Sequence, residues 1–134
     1  SGLGKTFLMN CVAQRVLERG YSVVVISAYK LVELMRAYQF DGKGTEQVQD
    51  ILTCDLLAID DLGSEPMIRG VTISSLYYIV SERNNANRAI LVTTNCDSDL
   101  LYEKYDDRIA ARLTAPSRMN VIEFVGTDVR RFAR

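Results

Sequence analysis

Ser1–Thr6 reads SGLGKT, and the reading of this stretch decides what the rest of the chain can be. The phosphate-binding pattern G-x-x-x-x-G-K-[ST] is present in its second half: Gly4, Lys5 and Thr6 fit, and the first glycine would lie before Ser1. Gly2 and Gly4 suit a tight turn whose backbone N–H groups converge on an anion, because a Cβ would block the backbone angles or the approach of phosphate. Lys5 would reach the β- and γ-phosphates, and the Thr6 hydroxyl would ligate Mg²⁺. Such a loop opens a helix, whose N-terminus favours negative charge. Thr6–Arg19 (TFLMNCVAQRVLER) reads as that helix, with Leu8, Cys11, Val12 and Val16 at helical spacing and Gly20 just past its end. A glycine-rich turn ahead of an ordinary amphipathic helix would look similar, so residues further down the chain must decide the assignment.

Composition narrows the classes. The 134 residues fit one domain with a single core, and 48% hydrophobic with 25% charged residues is ordinary for a globular protein. No apolar run approaches the ~20 residues of a membrane span, no signal peptide is evident, and a cytoplasmic location without membrane contact is expected. Cys11, Cys54 and Cys96 are too scattered for a disulfide framework or zinc site and read as small apolar residues in a reducing compartment. The absence of histidine excludes Ser-His and Cys-His triads within the chain. A net charge of −1 gives no bulk reason for nucleic-acid binding, which would have to be local.

Helices alternate with strands along the sequence. SVVVISA (Ser22–Ala28) is a β-branched run typical of a parallel strand, and YKLVELMRAYQF places Leu31, Leu34, Met35 and Tyr38 on one helical face. A loop at Asp41–Gly44 precedes a short helix, TEQVQDIL, with Thr45 as expected N-cap. CDLLAIDDLG is a strand ending in two carboxylates, GSEPMIRG a loop, and TISSLYYIVSERNN a helix with Ile73, Leu76, Tyr77 and Val80 on its apolar face. RAILVTTN reads as a further buried strand, SDLLYEKY and DDRIAARLT as short helices, and MNVIEFVG as a last strand over 119–125 before the tail TDVRRFAR. The alternation predicts a parallel sheet covered on both faces, with ligands beyond the carboxyl ends of the strands, where Asp60, Asp61 and Asn95 fall.

Those residues supply the other parts of a phosphate-transfer site. Asp60, after an apolar run, would hold Mg²⁺ directly or through water, and Asp61 could orient or deprotonate an attacking water. A strand running into an Asx turn with solvated carboxylates is the plainer alternative, and the phosphate loop upstream weighs against it. Asn95 offers both donor and acceptor and could place a hydrolytic water, although asparagine at a strand end is usually a turn residue. Arg108 and Arg112, at i and i+4, share a helical face. They are either surface ion-pair partners or cations reaching into a neighbour's nucleotide site. Arg130, in GTDVRR, is a further candidate for contacting nucleotide or a neighbouring subunit.

Taken together, GLGKT, LLAIDDLGSE, ILVTTN, the Y-x-x-R-I-x-x-R-L stretch (Tyr105 to Leu113) and G-x-D-x-R (Gly126 to Arg130) resemble the bacterial AAA+ ATPases of the DnaC/DnaI helicase-loader and IstB-like family. The resemblance spans nearly the whole chain. It implies a P-loop NTPase fold, three-layer α/β/α, with sheet order 5-1-4-3-2. It implies ATP or ADP with Mg²⁺ as cofactors and a homo-oligomer that helps load the replicative helicase on single-stranded DNA. By it Lys5 and Thr6 match Walker A, Asp60 and Asp61 Walker B, Asn95 sensor 1, Arg108 the arginine finger with Arg112 close behind, and Arg130 sensor 2.

Departures from the family pattern set further expectations. The loop's first glycine and the strand delivering it are absent, so residues 1–134 are expected to be an AAA+ core cut within the Walker A loop. An Asp-Asp Walker B, where most AAA+ proteins carry Asp-Glu, implies slow turnover. The lid is expected to be absent or vestigial, and the helicase-binding N-terminal region lies outside the chain. An IstB-like transposition helper would share every motif. A nucleotide-controlled assembly switch with negligible hydrolysis also fits, whereas a small-molecule P-loop kinase leaves Asn95, Arg108 and Arg112 without roles.

Overall fold

The computed structural model describes residues 3–114 and 119–126. Its sheet has three parallel strands in the order β1 (Val23–Ser27), β2 (Leu56–Leu62), β3 (Ala89–Thr94). Around it lie α1 (Lys5–Glu18), α2 (Ala28–Asp41), α3 (Thr45–Thr53), α4 (Thr72–Asn85), α5 (Ser98–Lys104) and α6 (Asp107–Thr114). The adjacency expected of these three strands is met. No helix among the described residues is long and apolar enough to cross a membrane.

β2 organises the layers. Leu56, Leu57, Ala58 and Ile59 are all buried, as a central strand covered on both faces requires. Side chains alternate along a strand. Leu57 and Ile59 join the cluster of Leu31, Met35, Val48, Ile51, Leu76, Ile79 and Ile109, contributed by α2, α3, α4 and α6. Leu56 and Ala58 point the other way, toward the side where α1 crosses all three strands. α1 buries Met9 and Ala13 there and leaves Leu8 43% and Val12 38% exposed. The stripe that matters is therefore Lys5–Met9–Ala13, at i+4 spacing, rather than Leu8 and Val12. Anchoring of the first turn at the sheet's carboxyl end fixes which face of α1 turns inward.

Three expectations need correction. β3 is half-buried rather than buried, because it forms the edge of the described sheet. Gly44, not Thr45, is the N-cap of α3. The segment expected as a last strand is not one: 119–125 carries no strand pairing, and Val121, Ile122 and Val125 are 70%, 71% and 85% exposed. A strand exists through its partner's backbone bonds. Among the described strands none pairs with it. Gly2 and Arg130 lie outside the described residues.

At the amino end of the sheet a residue that sequence reading passed over ties the layers together. Arg83, on α4, is fully buried. It donates to the carbonyls of Ile51 (2.8 Å), Ala89 (2.7 Å) and Asp55 (3.3 Å) and to Cys54 Sγ (3.4 Å). It thus bonds carbonyls at the end of α3 and at the entries to β2 and β3 with one side chain. Arg83→Met should leave those acceptors without donors and lower stability by about 3 kcal/mol. Chemical denaturation measures this, and a midpoint within error of wild type would show that water replaces the guanidinium.

Candidate nucleotide-binding site

Three chain segments meet at the carboxyl end of the sheet. Gly4 has φ 92°, a left-handed conformation that glycine adopts without strain, and its carbonyl accepts the Leu8 N–H at 2.9 Å, starting α1. The first turn of α1 carries no acidic side chain, so its positive end and free N–H groups stay available to an anion. Lys5 Nζ donates to Asn95 Oδ1 at 2.8 Å, across ninety residues of sequence. Thr6 Oγ1 donates to both carboxylate oxygens of Asp60, at 2.9 and 3.1 Å. The structure thus brings together Lys5, Thr6, Asp60 and Asn95 from α1, β2 and the end of β3.

The carboxylate pair sits on a break in the ladder. Ile59 pairs with Val92 and Leu62 with Thr94, so β2 advances three residues while β3 advances two. The extra residue is a bulge at Asp60–Asp61, and Asp61 takes φ 58°, unusual outside glycine. Thr93, 8% exposed, holds the bulge from the next strand. Its hydroxyl donates to Asp60 Oδ1, and the same oxygen accepts the Asp61 N–H at 2.8 Å. Ser64 adds two bonds to the Asp61 carbonyl, through its N–H (3.2 Å) and hydroxyl (2.8 Å). One carboxylate is thereby fixed beside Thr6, while the other projects from an exposed, conformationally restrained residue.

This arrangement can hold a cation next to an anion. Asp60 and Thr6 offer hard oxygen ligands, and Lys5 with the α1 N-terminus supplies positive charge alongside. Among the described residues no group of three His, Cys, Asp or Glu side chains could enclose a metal. That suits Mg²⁺, which keeps several waters and is held by one or two carboxylates plus substrate phosphates rather than by an all-protein cage. Asn95 meets this cluster through its bond from Lys5, while Asp61, next to Asp60, is exposed.

Arg108 and Arg112 are elsewhere. Asp106 starts their helix, its carboxylate accepting the Ile109 N–H at 3.1 Å. Arg108 donates to Asp106 Oδ2 at 2.8 Å, and that bond holds the Asp106 carboxyl below its usual range. The Arg108 guanidinium lies 4.3 Å from the ring centroid of Tyr77 on α4, and that of Arg112 lies 5.1 Å from the same ring. Arg112 also donates to the Arg108 carbonyl at 2.9 Å. Neither bonds Lys5, Thr6, Asp60, Asp61 or Asn95 among the described residues. The pair is held as a separate, outward cationic patch, with Arg108 62% exposed along its side chain.

Comparison with known proteins agrees with this geometry. The profile of the family described as IstB-like ATP binding protein matches residues 1–115. The chain belongs to that IstB-like ATP-binding family. It is 27% identical over 125 residues to the replicative helicase loader DnaC of Escherichia coli K12, covering 90% of this chain and 50% of that protein. A crystal structure of DnaI superposes with TM-score 0.74 at 25% identity, over 95% of this chain and 67% of that one. A replication initiator DnaA bound to AMPPCP and single-stranded DNA superposes with TM-score 0.69 at 24% identity, over 83% of this chain and 34% of that one. The chain spans about half the length of the curated relatives it matches. Its α/β fold is that of the AAA+ domains of DnaA, DnaC and DnaI.

In this IstB-like chain sequence reading missed Thr93 and Tyr77. Both were visible, Thr93 within the TTN run and Tyr77 on the apolar face of α4, but neither is charged and both read as structural. Only the pairing of β2 with β3 and of α4 with α6 gives them partners. Thr93→Val keeps the side-chain volume but deletes the oxygen serving Asp60 and Asp61. It should weaken Mg²⁺-dependent ATP binding about tenfold, the scale of a hydrogen bond to a charged group. Titration of a fluorescent ATP analogue with and without EDTA checks this, and equal affinities for variant and wild type would mean the bulge is held by Ser64 alone.

Proposed function

We propose that this IstB-like chain binds Mg²⁺–ATP through Gly2, Gly4, Lys5, Thr6 and Asp60, and hydrolyses it slowly in a homo-oligomer. The observation that carries the reading is the convergence of Lys5 with Asn95 and of Thr6 with Asp60 at the N-terminus of α1. Lys5 and the helix end neutralise phosphate charge, and Asp60 and Thr6 seat the cation against the phosphate oxygens. Asp61 and Asn95 orient the attacking water. The cation that stabilises transition-state charge comes from a neighbouring protomer: Arg108, with Arg112 a turn further on, engages no nucleotide-site residue of its own chain. Arg130 is a further nucleotide contact under this reading.

The wider role we infer is that of a cytoplasmic helicase loader acting with single-stranded DNA, as relatives named for helicase loading and an initiator bound to single-stranded DNA suggest. Exposed side chains on and beside α2 support it. Tyr29 and Phe40 are 49% and 65% exposed on α2, beside the exposed cations Lys30, Arg36 and Lys43. Cations interleaved with aromatics can follow a backbone and stack bases. Tyr38, half-buried against the core, is not free to stack. The family match favours a transposition-helper role equally, with the same ATP chemistry and a different protein partner.

Two experiments on the full-length protein test the chemistry. Asp61→Asn should bind ATP with affinity close to wild type and lose turnover about a hundredfold, as loss of a general base or water-orienting group does. Unchanged turnover would return Asp61 to a structural role. Mixing Arg108→Ala with Lys5→Ala protein should restore part of the activity that each lacks, because mixed interfaces pair an intact phosphate loop with an intact arginine. A mixture that forms oligomers yet stays inactive would place Arg108 outside the reaction.

A further inference from the structure

Behind the carboxylate pair lies a buried polar pair that ATP binding does not use. Glu65 is 5% exposed and Tyr105 3%. The Tyr105 hydroxyl donates to Glu65 Oε1, and Glu65 Oε2 accepts the Gly63 N–H at 2.7 Å. The carbonyl of Gly63 in turn accepts from Lys104 Nζ. A single residue, two positions after Asp61, is thus gripped on its N–H by Glu65 and on its C=O by the end of α5. No side chain fits at Gly63: its φ is +108°, and a Cβ there would meet Cys96 Sγ at 2.6 Å. The turn is braced from β3 as well, since Thr94 Oγ1 donates to the Leu62 carbonyl at 2.6 Å.

The other end of this connection is the arginine helix. Tyr105 closes α5, its N–H bonded to the Leu101 carbonyl at 2.9 Å, and Asp106, the residue after it, starts α6 and pairs with Arg108. Burial raises the Tyr105 phenol far above its ordinary pKa, with the Glu65 bond reinforcing the shift, so the hydroxyl stays a donor throughout the physiological range. A carboxylate buried this deeply is costly unless its donors are present. The two groups therefore keep the turn at Gly63 and the α5–α6 corner at a fixed separation.

We propose that Glu65 and Tyr105 are positioning residues that lock the arginine-bearing helix α6 to the Asp60–Asp61 turn, so that one protomer's nucleotide site sets how its Arg108 and Arg112 are presented to the next. The coupling rests on the proposed nucleotide binding only for its response to ATP. Movement of the acidic turn on binding Mg²⁺–ATP passes through Gly63 to Glu65, from Glu65 to Tyr105, and so to the first turn of α6. Tyr77 supplies the surface on which the two guanidiniums then settle.

Amide hydrogen exchange on the full-length protein tests this, with Tyr105→Phe, which keeps the ring and removes the hydroxyl. Without nucleotide, the Gly63 amide and the amides of α6 should exchange about tenfold faster than in wild type, while α2 and α3 are unchanged. With saturating Mg²⁺–ATP, wild type should show slowed exchange in α6. The variant should bind ATP within about twofold of wild type yet show no such slowing. Loosening of the turn without α6, uniform loosening everywhere, or an intact α6 response in the variant would each overturn the proposal. If neither variant nor wild type binds ATP, the functional reading fails, and the nucleotide-free comparison still decides whether the lock exists. Should Tyr105→Phe not fold, Glu65→Gln keeps shape and an acceptor oxygen, and the same paired loosening at smaller amplitude is expected. Wild-type exchange at both places in that variant would equally contradict the lock.

Discussion

Thr93 carries one oxygen that serves two residues of the neighbouring strand: it donates to the Asp60 carboxylate and accepts the Asp61 N–H. This is possible only because β2 bulges there, and the bulge in turn leaves Asp61 in a left-handed conformation. The two acids point in different directions. Asp60 points toward the α1 side of the sheet, where Thr6 meets it, and Asp61 projects outward. A regular strand would place successive side chains on opposite faces and bring neither Asp61 nor the following turn to the site's rim. The conformation of Asp61 and the start of the turn that leads to Glu65 go with that local break.

The same geometry separates two sets of charged groups within one small α/β unit. Lys5, Thr6, Asp60 and Asn95 sit at the ends of α1, β2 and β3, whereas the arginines sit on α6, engaged with Asp106 and Tyr77. An anion seat and a cationic patch that do not meet within one chain are suited to meeting between chains, as arginine fingers supplied in trans do. The buried Glu65–Tyr105 contact lies between them. At the far end of the sheet Arg83 performs a purely structural task, satisfying carbonyls from α3, β2 and β3.

Much of this was legible in the sequence, for physical reasons that can be named. That Lys5, Thr6, Asp60 and Asn95 converge could be read because the alternation of helices and strands puts strand and helix ends together, and their residue types at those ends single them out. The central strand was legible from its unbroken apolar run. What escaped were the contacts that depend on register and on helix rotation. Leu8 and Val12 matched a helical period as well as Met9 and Ala13 did, and only anchoring at Lys5 and Thr6 chooses between them. Thr93, Glu65 and Arg83 look unremarkable in sequence because their meaning lies in partners up to 40 residues away. The stretch 119–125 had strand composition, but composition cannot supply a neighbour's backbone.

Under the proposed function Thr6 and Asp60, with Thr93 steadying the carboxylate, form a cation seat completed by the phosphates of a bound nucleotide. Mn²⁺ in place of Mg²⁺, followed by electron paramagnetic resonance on the full-length protein, tests it most directly. Mn²⁺ should be held tightly only when ATP is present, and Asp60→Asn should abolish this while leaving metal-free ATP binding largely intact. Tight Mn²⁺ binding without nucleotide, or ATP-dependent binding that survives Asp60→Asn, would contradict it.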